Sequence, residues 1–184
     1  MTRIRLVPVG NIDLAILEWL ALTLKDNMEV ACLLHHSGID PTESYNPLRQ
    51  QYNSTAILAK LLRLDTPPQE KLLAVTDVDL FIPILTFVYG EAQLDNRAAV
   101  VSVFRLRQEF YGLPADDSLF YQRCEKEALH ELGHTFGLVH CPQFDCLMHY
   151  SNSIEQIDLK TNAFCLGCRK KLSAIGMRSP NALA

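Results

Sequence analysis

The sequence predicts an α/β fold with a mixed, mostly parallel twisted sheet, two helices in the N-terminal half, a third helix further along, and a small C-terminal subdomain. Short β-branched and aliphatic runs alternate with stretches of helical periodicity, which is typical of this class. Most of the histidines and cysteines lie in the last third of the chain. A length of 184 residues with 48% hydrophobic residues predicts a single domain (1–184), with an upper half of about 1–137 and a lower half of about 138–184.

The first three predicted elements form a strand–helix–strand unit. Residues 4–9 are aliphatic and predict a strand, after which Asn11 or Asp13 caps a helix. Residues 28–34 form an apolar run that predicts a second, buried strand. A right-handed crossover between the two strands makes them parallel. The helix has an apolar stripe at helical spacing, made of Ile12, Ile16, Leu17, Leu20 and Leu24.

The middle of the chain predicts a loop, a second helix and further strands. Residues 35–46 are polar and predict the loop, and Asn46-Pro47 predicts the start of a helix that runs to about Leu64. The expected inner face of this helix comprises Leu48, Tyr52, Ile57, Leu58, Leu61 and Leu62. Strands are then predicted over residues 71–78, 84–89 and 98–106, with a possible edge strand at residues 90–92.

Charge and hydropathy exclude several classes of function. The net charge is −4, and no basic run is longer than Arg169-Lys170-Lys171, so a nucleic-acid-binding surface is not expected. No apolar stretch approaches the roughly 20 residues that span a membrane, and the N-terminus lacks the pattern of a signal peptide. We therefore expect a cytoplasmic monomer that does not associate with membranes.

A third helix, predicted over residues 118–137, carries the pattern H-E-x-x-H. His130 and His134 are four residues apart, so both project from one helix face toward one metal ion. Gly137 can end the helix in the left-handed conformation, which lets His140 supply a third nitrogen. Three protein ligands leave a fourth position open, as in catalytic zinc sites. Glu131 is then the candidate catalytic residue, a base that takes a proton from water and passes it to the leaving amine.

Four cysteines predict a second metal site. Cys141, Cys146, Cys165 and Cys168 form a C-x4-C and C-x-x-C set, and four thiolates close a tetrahedral shell, as in structural zinc. Two disulfides are the alternative, which a reducing cytosol disfavours. We expect two zinc ions per chain, with the cysteine zinc holding the loop of His140 against the C-terminal helix. Cys32 and Cys124 are expected to be small hydrophobic residues of the interior.

The whole pattern, H-E-x-x-H-x-x-G-x-x-H-C-x4-C-x-M-x16-C-x-x-C over His130–Cys168, resembles that of the archaemetzincins, a family of metzincin zinc metallopeptidases. The resemblance implies a metzincin-like fold and a zinc-dependent hydrolase that cleaves peptide bonds in peptide or protein substrates. It also implies that Met148 forms an apolar floor beneath the three imidazoles. The alternative is a catalytically idle, zinc-containing peptide- or protein-binding module.

Three further residues each have two interpretations. In the astacin branch of the metzincins, a tyrosine two residues after the methionine reaches the zinc, so Tyr150 is either an extra ligand or transition-state donor, or a packing residue. Glu127 lies on the face of His130 and either orients a ligand imidazole or forms a surface pair with Arg123. By the same resemblance, the strand at residues 90–92 is expected to pair with an extended peptide substrate.

Overall fold

The structure, a computed structural model, describes residues 2–177. In chain order the strands and helices are β1 (Arg3–Val9), α1 (Leu14–Met28), β2 (Ala31–Leu34), β3 (Tyr45–Asn46), β4 (Gln51–Asn53), α2 (Ser54–Leu61), β5 (Glu70–Thr76), β6 (Leu80–Phe81), β7 (Gly90–Ala92), β8 (Ala98–Ser102), α3 (Asp117–Thr135), α4 (Ile154–Leu159) and α5 (Leu166–Ala174). Among the described residues, no helix is both long enough and apolar enough to cross a bilayer.

The main sheet has five strands in the order β2-β1-β5-β8-β7. The first four are parallel, and β7 is antiparallel to β8 at the sheet edge. One face of the sheet packs against α1 and α3, and the other packs against α2. The predicted α/β class, with a mixed and mostly parallel sheet and β7 as its edge strand, is confirmed. A small second sheet, in the order β3-β4-β6, lies beside it.

The predicted strand–helix–strand unit at the start of the chain is confirmed. Asp13 caps α1 by accepting a hydrogen bond from the backbone of Ala15 at 3.0 Å. The apolar stripe of α1 is buried against the sheet as predicted, and β1 and β2 are parallel. The prediction that the second strand is buried is wrong, since β2 is a partly exposed edge strand of only four residues. Met28 ends α1 and belongs to the helix instead.

The predicted second helix is wrong in its first half. Asn46 does accept backbone hydrogen bonds from Leu48 and Arg49, but Gln50 follows with a left-handed φ of +54°. An α-helix cannot continue through that conformation, and the chain instead enters β4, which pairs with β3 and β6. The helix α2 begins at Ser54 with Asn53 as its cap. Leu48, expected on an inner face, is 95% exposed.

The predicted strand at residues 84–89 is also wrong. Ile84 is 86% exposed, and the segment is a loop that returns to β6, where Val88 donates to Leu80. Arg49 holds this loop by donating to the carbonyls of Leu85 and Thr86. The last predicted strand is shorter than expected, because β8 ends at Ser102 and a 3-10 turn follows over Phe104–Leu106.

Candidate active site and metal centres

Three histidines meet at the C-terminal end of α3. His130 and His134 lie on consecutive turns of this helix, and their Nε2 atoms are 3.2 Å apart. Gly137 has a φ of +83°, the left-handed conformation expected from the sequence, and the chain turns there so that His140 reaches the other two. One ligand nitrogen from each histidine lies within 4.8 Å of the others. The sequence-predicted ligand set is therefore brought together.

Backbone carbonyls fix the orientation of the two helical imidazoles. The Nδ1 atom of His130 lies 2.9 Å from the Leu147 carbonyl, and that of His134 lies 2.7 Å from the Leu138 carbonyl. A carbonyl only accepts, so each Nδ1 carries the proton and each Nε2 presents a lone pair. Burial lowers the pKa of all three histidines, most strongly that of His130. Neutral imidazoles with converging Nε2 atoms are the form that binds zinc.

The nitrogen separation also fits a zinc ion. Tetrahedral zinc with Zn–N bonds of about 2.05 Å places its nitrogen ligands about 3.3 Å apart. The observed 3.2 Å between His130 and His134 agrees with that geometry.

Glu131 is buried beside the histidines, against the edge of the main sheet. A Cβ placed on Gly90 would lie 2.6 Å from the Oε1 atom of Glu131, so the carboxylate packs directly on the glycine backbone of β7. Burial raises the pKa of Glu131 well above its ordinary value, and the nearby carboxylate of Glu127 adds to the effect. The sequence predicted Glu131 but not the role of Gly90. A glycine at the start of an edge strand was the available signal, because it marks close approach of another group.

Met148 and Tyr150 both pack next to the histidine cluster. Met148 is fully buried, and its Sδ would be 2.5 Å from a Cβ placed on Gly133, so it packs directly under α3 between the two ligand positions. Tyr150 packs on the ring of His140, with centroids 5.1 Å apart, and lines the adjacent cleft. This position is compatible with both interpretations of Tyr150 considered from the sequence.

The four cysteines of the C-terminal region also meet. The Sγ atoms of Cys141 and Cys165 are 3.8 Å apart, and those of Cys146 and Cys168 are 3.9 Å apart. A disulfide needs about 2.05 Å, whereas sulfurs around a tetrahedral zinc with bonds of about 2.3 Å are about 3.8 Å apart. Hydrogen bonding between the sulfurs of Cys146 and Cys168 lowers the pKa of Cys146 to about 5, which favours one thiolate. All six cysteines of the chain are free.

The cysteine cluster and the histidine site are joined through the backbone. Leu147, whose carbonyl accepts from His130, lies between Cys146 and Met148 in the chain. Cys141 follows His140 directly, and its N–H donates to the Met148 carbonyl at 2.8 Å. His149 is half-buried, and its Nδ1 atom hydrogen-bonds to the Cys141 carbonyl at 2.9 Å. A displacement of the cysteine loop would therefore move atoms that orient the histidines.

A cleft of about 570 Å³ opens onto the histidines, with walls from both halves of the chain. Its lining includes apolar side chains from residues 82–94, the three carboxylates Glu91, Glu127 and Glu131, and residues 150–152 of the lower half. Both interpretations of Glu127 made from the sequence are wrong. Its carboxylate accepts from the buried ammonium of Lys160 at 2.8 Å, and Arg123 pairs with Asp158 on α4 instead.

Comparisons with known proteins agree with this geometry. The model of Peptidase family M54 matches residues 33–174. The archaemetzincin of Methanocaldococcus jannaschii is 41% identical over 175 residues, which are 95% of each chain. The crystal structure of archaemetzincin from Archaeoglobus fulgidus superposes with a TM-score of 0.80 at 37% identity, covering 93% of this chain and 99% of that one. That of a zinc-dependent peptidase from Methanocorpusculum labreanum also gives 0.80, at 32% identity, covering 92% and 99%. The chain therefore belongs to peptidase family M54, the archaemetzincins, and is a zinc-dependent metallopeptidase.

Proposed function

We propose that His130, His134 and His140 hold the zinc ion of this metallopeptidase and that Glu131 is its general base. The observation that carries the proposal is the convergence of three neutral imidazoles next to one buried carboxylate. The chemistry that zinc would supply when held by these three histidines is polarisation of the substrate carbonyl and a lowering of the pKa of a water molecule toward about 7.

The chain's own groups then carry the proton. Glu131 accepts a proton from the attacking water, and its raised pKa makes it a stronger base than an ordinary carboxylate. The protonated Glu131 next donates to the amine nitrogen of the cleaved peptide bond, which leaves as a neutral amine. Gly90 holds the carboxylate at the sheet edge, since no side chain intervenes between β7 and Glu131.

The substrate is proposed to lie in the cleft as an extended strand along the free edge of β7. Two observations support this placement of the substrate. β7 is the terminal strand of the main sheet, and all three β7 residues line the cleft. Backbone hydrogen bonds from an edge strand bind a peptide without reading its sequence. Side-chain preference then arises from the cleft residues.

A second zinc ion is proposed at Cys141, Cys146, Cys165 and Cys168, giving two per chain. Four sulfurs leave no open position, so this ion is structural, and the sulfur separations support it. We further propose that the chain acts as one catalytic domain, with upper and lower halves of about 1–137 and 138–184, and as a monomer. Four thiols kept for a metal suit the reducing cytoplasm.

The peptide-binding alternative is not favoured, because the family is one of active peptidases. The decisive test is a quenched-fluorescence peptide library with and without a chelator, beside Glu131→Ala. Cleavage that is abolished by both treatments is expected. Cleavage that persists at full rate in Glu131→Ala would refute the role given to this residue.

The zinc assignments are tested by metal content per chain. Two zinc ions are expected, falling to one when His134 is replaced by Ala. A stoichiometry of one in the unmodified protein, or an unchanged two in His134→Ala, would contradict them.

A further inference from the structure

Glu91 occupies the middle of β7, where it lines the catalytic cleft. Its neighbours in the strand, Gly90 and Ala92, pair with Val101 and Ala99, which belong to the core on the α3 side. Glu91 pairs with Val100, which belongs to the core on the α2 side. Because side chains alternate along a strand, the carboxylate of Glu91 points to the α2 face of the sheet edge. It is partly exposed there.

Two hydroxyl groups fix this carboxylate. Ser54 donates to its Oε2 atom, and Thr55 donates to Oε1 at 2.9 Å. Both hydroxyls come from the first turn of α2, so the carboxylate is held between a helix and the edge of the sheet. A carboxylate has about four acceptor positions, and two hydroxyl donors leave room for a further donor from the cleft.

The charge of Glu91 has no cationic partner among the described residues. Four other half-buried or buried carboxylates are each paired with a cation: Glu70 with Arg5, Asp79 with Arg105, Glu127 with Lys160 and Asp158 with Arg123. Glu91 instead has neutral hydroxyl partners only. An oriented carboxylate beside the outer edge of β7, with no ion-pair partner among the described residues, is complementary to a cation on the substrate.

We propose that Glu91 is a specificity-determining residue that selects a lysine or arginine side chain in the peptide substrate. This proposal rests on the peptidase function and on the edge-strand placement of the substrate proposed above. A substrate residue directly opposite Glu91 points its side chain to the same face of the extended sheet, and oppositely charged residues at such cross-strand positions attract. The charged end of lysine or arginine then reaches the carboxylate.

The position of the basic residue follows from the strand register. Gly90 is next to Glu91 and packs on Glu131, so the scissile bond lies beside Gly90. The residue opposite Glu91 is then within about two residues of the scissile bond, because paired strands advance together by roughly 3.3 Å per residue. The other cleft carboxylate outside the catalytic role, Glu127, is neutralised by Lys160 and does not compete for the substrate cation.

The test measures binding separately from cleavage. Zinc-loaded Glu131→Gln protein is titrated against fluorescent eight-residue peptides that carry one lysine at successive positions, and against matched peptides with norleucine, which has the same length without the charge. At one position the lysine peptide is expected to bind about fivefold tighter, the scale of a partly exposed charge pair. This preference should be lost when Glu91→Gln is added, and Glu91→Lys should reverse it toward a glutamate peptide. Glu18→Gln, which makes the same charge change on the exposed surface of α1, is the matched control and should leave it intact.

The outcomes separate this proposal from the peptidase mechanism. No lysine preference at any position, no binding at all, or a preference that survives in Glu91→Gln would overturn the role of Glu91. If Glu91→Gln does not fold, the proposal is tested on protein that keeps Glu91. Its preference for the lysine peptide must shrink as the salt concentration rises from about 0.05 to 0.5 M. A retained lysine preference in binding, with no cleavage of any peptide by the wild-type protein, would refute the hydrolytic mechanism and leave the assignment of Glu91 standing.

Discussion

Replacing Gly90 by alanine tests the contact on which the position of Glu131 depends. A Cβ at this position would lie 2.6 Å from Cγ and Oε1 of Glu131 and 2.7 Å from its Cδ. Ordinary contacts begin at 3.4 Å, so the carboxylate or the strand must move by about 0.8 Å. β7 is held to β8 by its strand pairing, and the backbone of Ser102 donates to Tyr89 next to it. We therefore expect the carboxylate of Glu131 to shift from the position that its role as a base requires.

The expected loss of kcat/KM is about 100-fold, because a displacement near 1 Å costs on that order in a positioned catalytic group. The same overpacking should lower the free energy of unfolding by about 1–3 kcal/mol. The loss of kcat/KM is measured with the library peptide that is cleaved best, and the free energy of unfolding is measured by urea denaturation. The zinc content of each protein is measured as well. Gly167→Ala is the matched control, since the nearest atom to its new Cβ is 3.9 Å away. A Gly90→Ala enzyme that retains activity within twofold of wild type, with normal zinc content, would refute the argument.

Three further predictions concern stability and metal binding. Glu127→Gln leaves the fully buried ammonium of Lys160 unpaired and should lower the free energy of unfolding, measured by urea denaturation, by about 3 kcal/mol. Adding Lys160→Met should recover most of that loss. Losses that add in the double variant would contradict a direct pair. Arg5 lowers the pKa of Glu70 below its ordinary 4.5. A depressed folded-state pKa gives stability that is present above the unfolded value and is lost as pH falls through the folded one. Glu70→Gln should therefore be less stable than wild type at pH 7, with the gap closing as pH falls from 4.5 through the lowered folded-state pKa; a constant gap would exclude this linkage. Cys165→Ser should lower both the melting temperature and the zinc occupancy of the histidine site, and a protein with both unchanged would separate the two centres.

The elements predicted well are those in which local pattern and tertiary packing agree. α1 combines a capping Asp13 with an apolar stripe at helical spacing, and the sheet buries that stripe. α3 likewise has Asp116 as its cap and an apolar side formed by Leu129 and Leu132, both buried. An element is predicted correctly when its local sequence pattern agrees with the burial of one of its faces.

The predicted second helix shows where the local sequence pattern and the tertiary packing disagree. Asn46-Pro47 has the residues of a helix start, and Asn46 makes the cap-like hydrogen bonds. The segment nevertheless forms a turn, since Gln51–Asn53 gains strand partners in β3 and β6. β3 has only two residues, and β6 is distant in the sequence, so neither strand partner is indicated by the local sequence pattern. The residue that does cap the helix, Asn53, lies seven residues further on. Its sequence signal is weaker than that of Asn46-Pro47.

At the site, spacing predicted which residues come together but not what surrounds them. Four-residue spacing on a helix fixes where His130 and His134 point, and the pattern of cysteines groups their sulfurs. The partner of Glu127 was misassigned because Arg123 is closer in sequence. Lys160 reaches Glu127 from the lower half of the chain, and a contact over that separation depends on the tertiary fold.

The two proposed metal centres lie close together because the lower half of the chain has little secondary structure. Between the end of α3 and the start of α4 the chain has no helix or strand of the main sheet, yet this segment supplies His140, the Leu147 carbonyl and Met148. A loop without its own core cannot hold three groups at fixed distances, because ordering each residue costs about 1–2 kcal/mol of backbone entropy. Cys141 and Cys146 bracket the loop at the points where it meets the histidine site, and the sulfurs of α5 and its cap complete the cluster. The closed four-sulfur zinc proposed at that point would offset the entropy that the missing core would otherwise have to overcome. The proposed cysteine centre would then be required for the geometry of the catalytic one, and the adjacency of His140 and Cys141 gives the shortest connection that a chain can make between them.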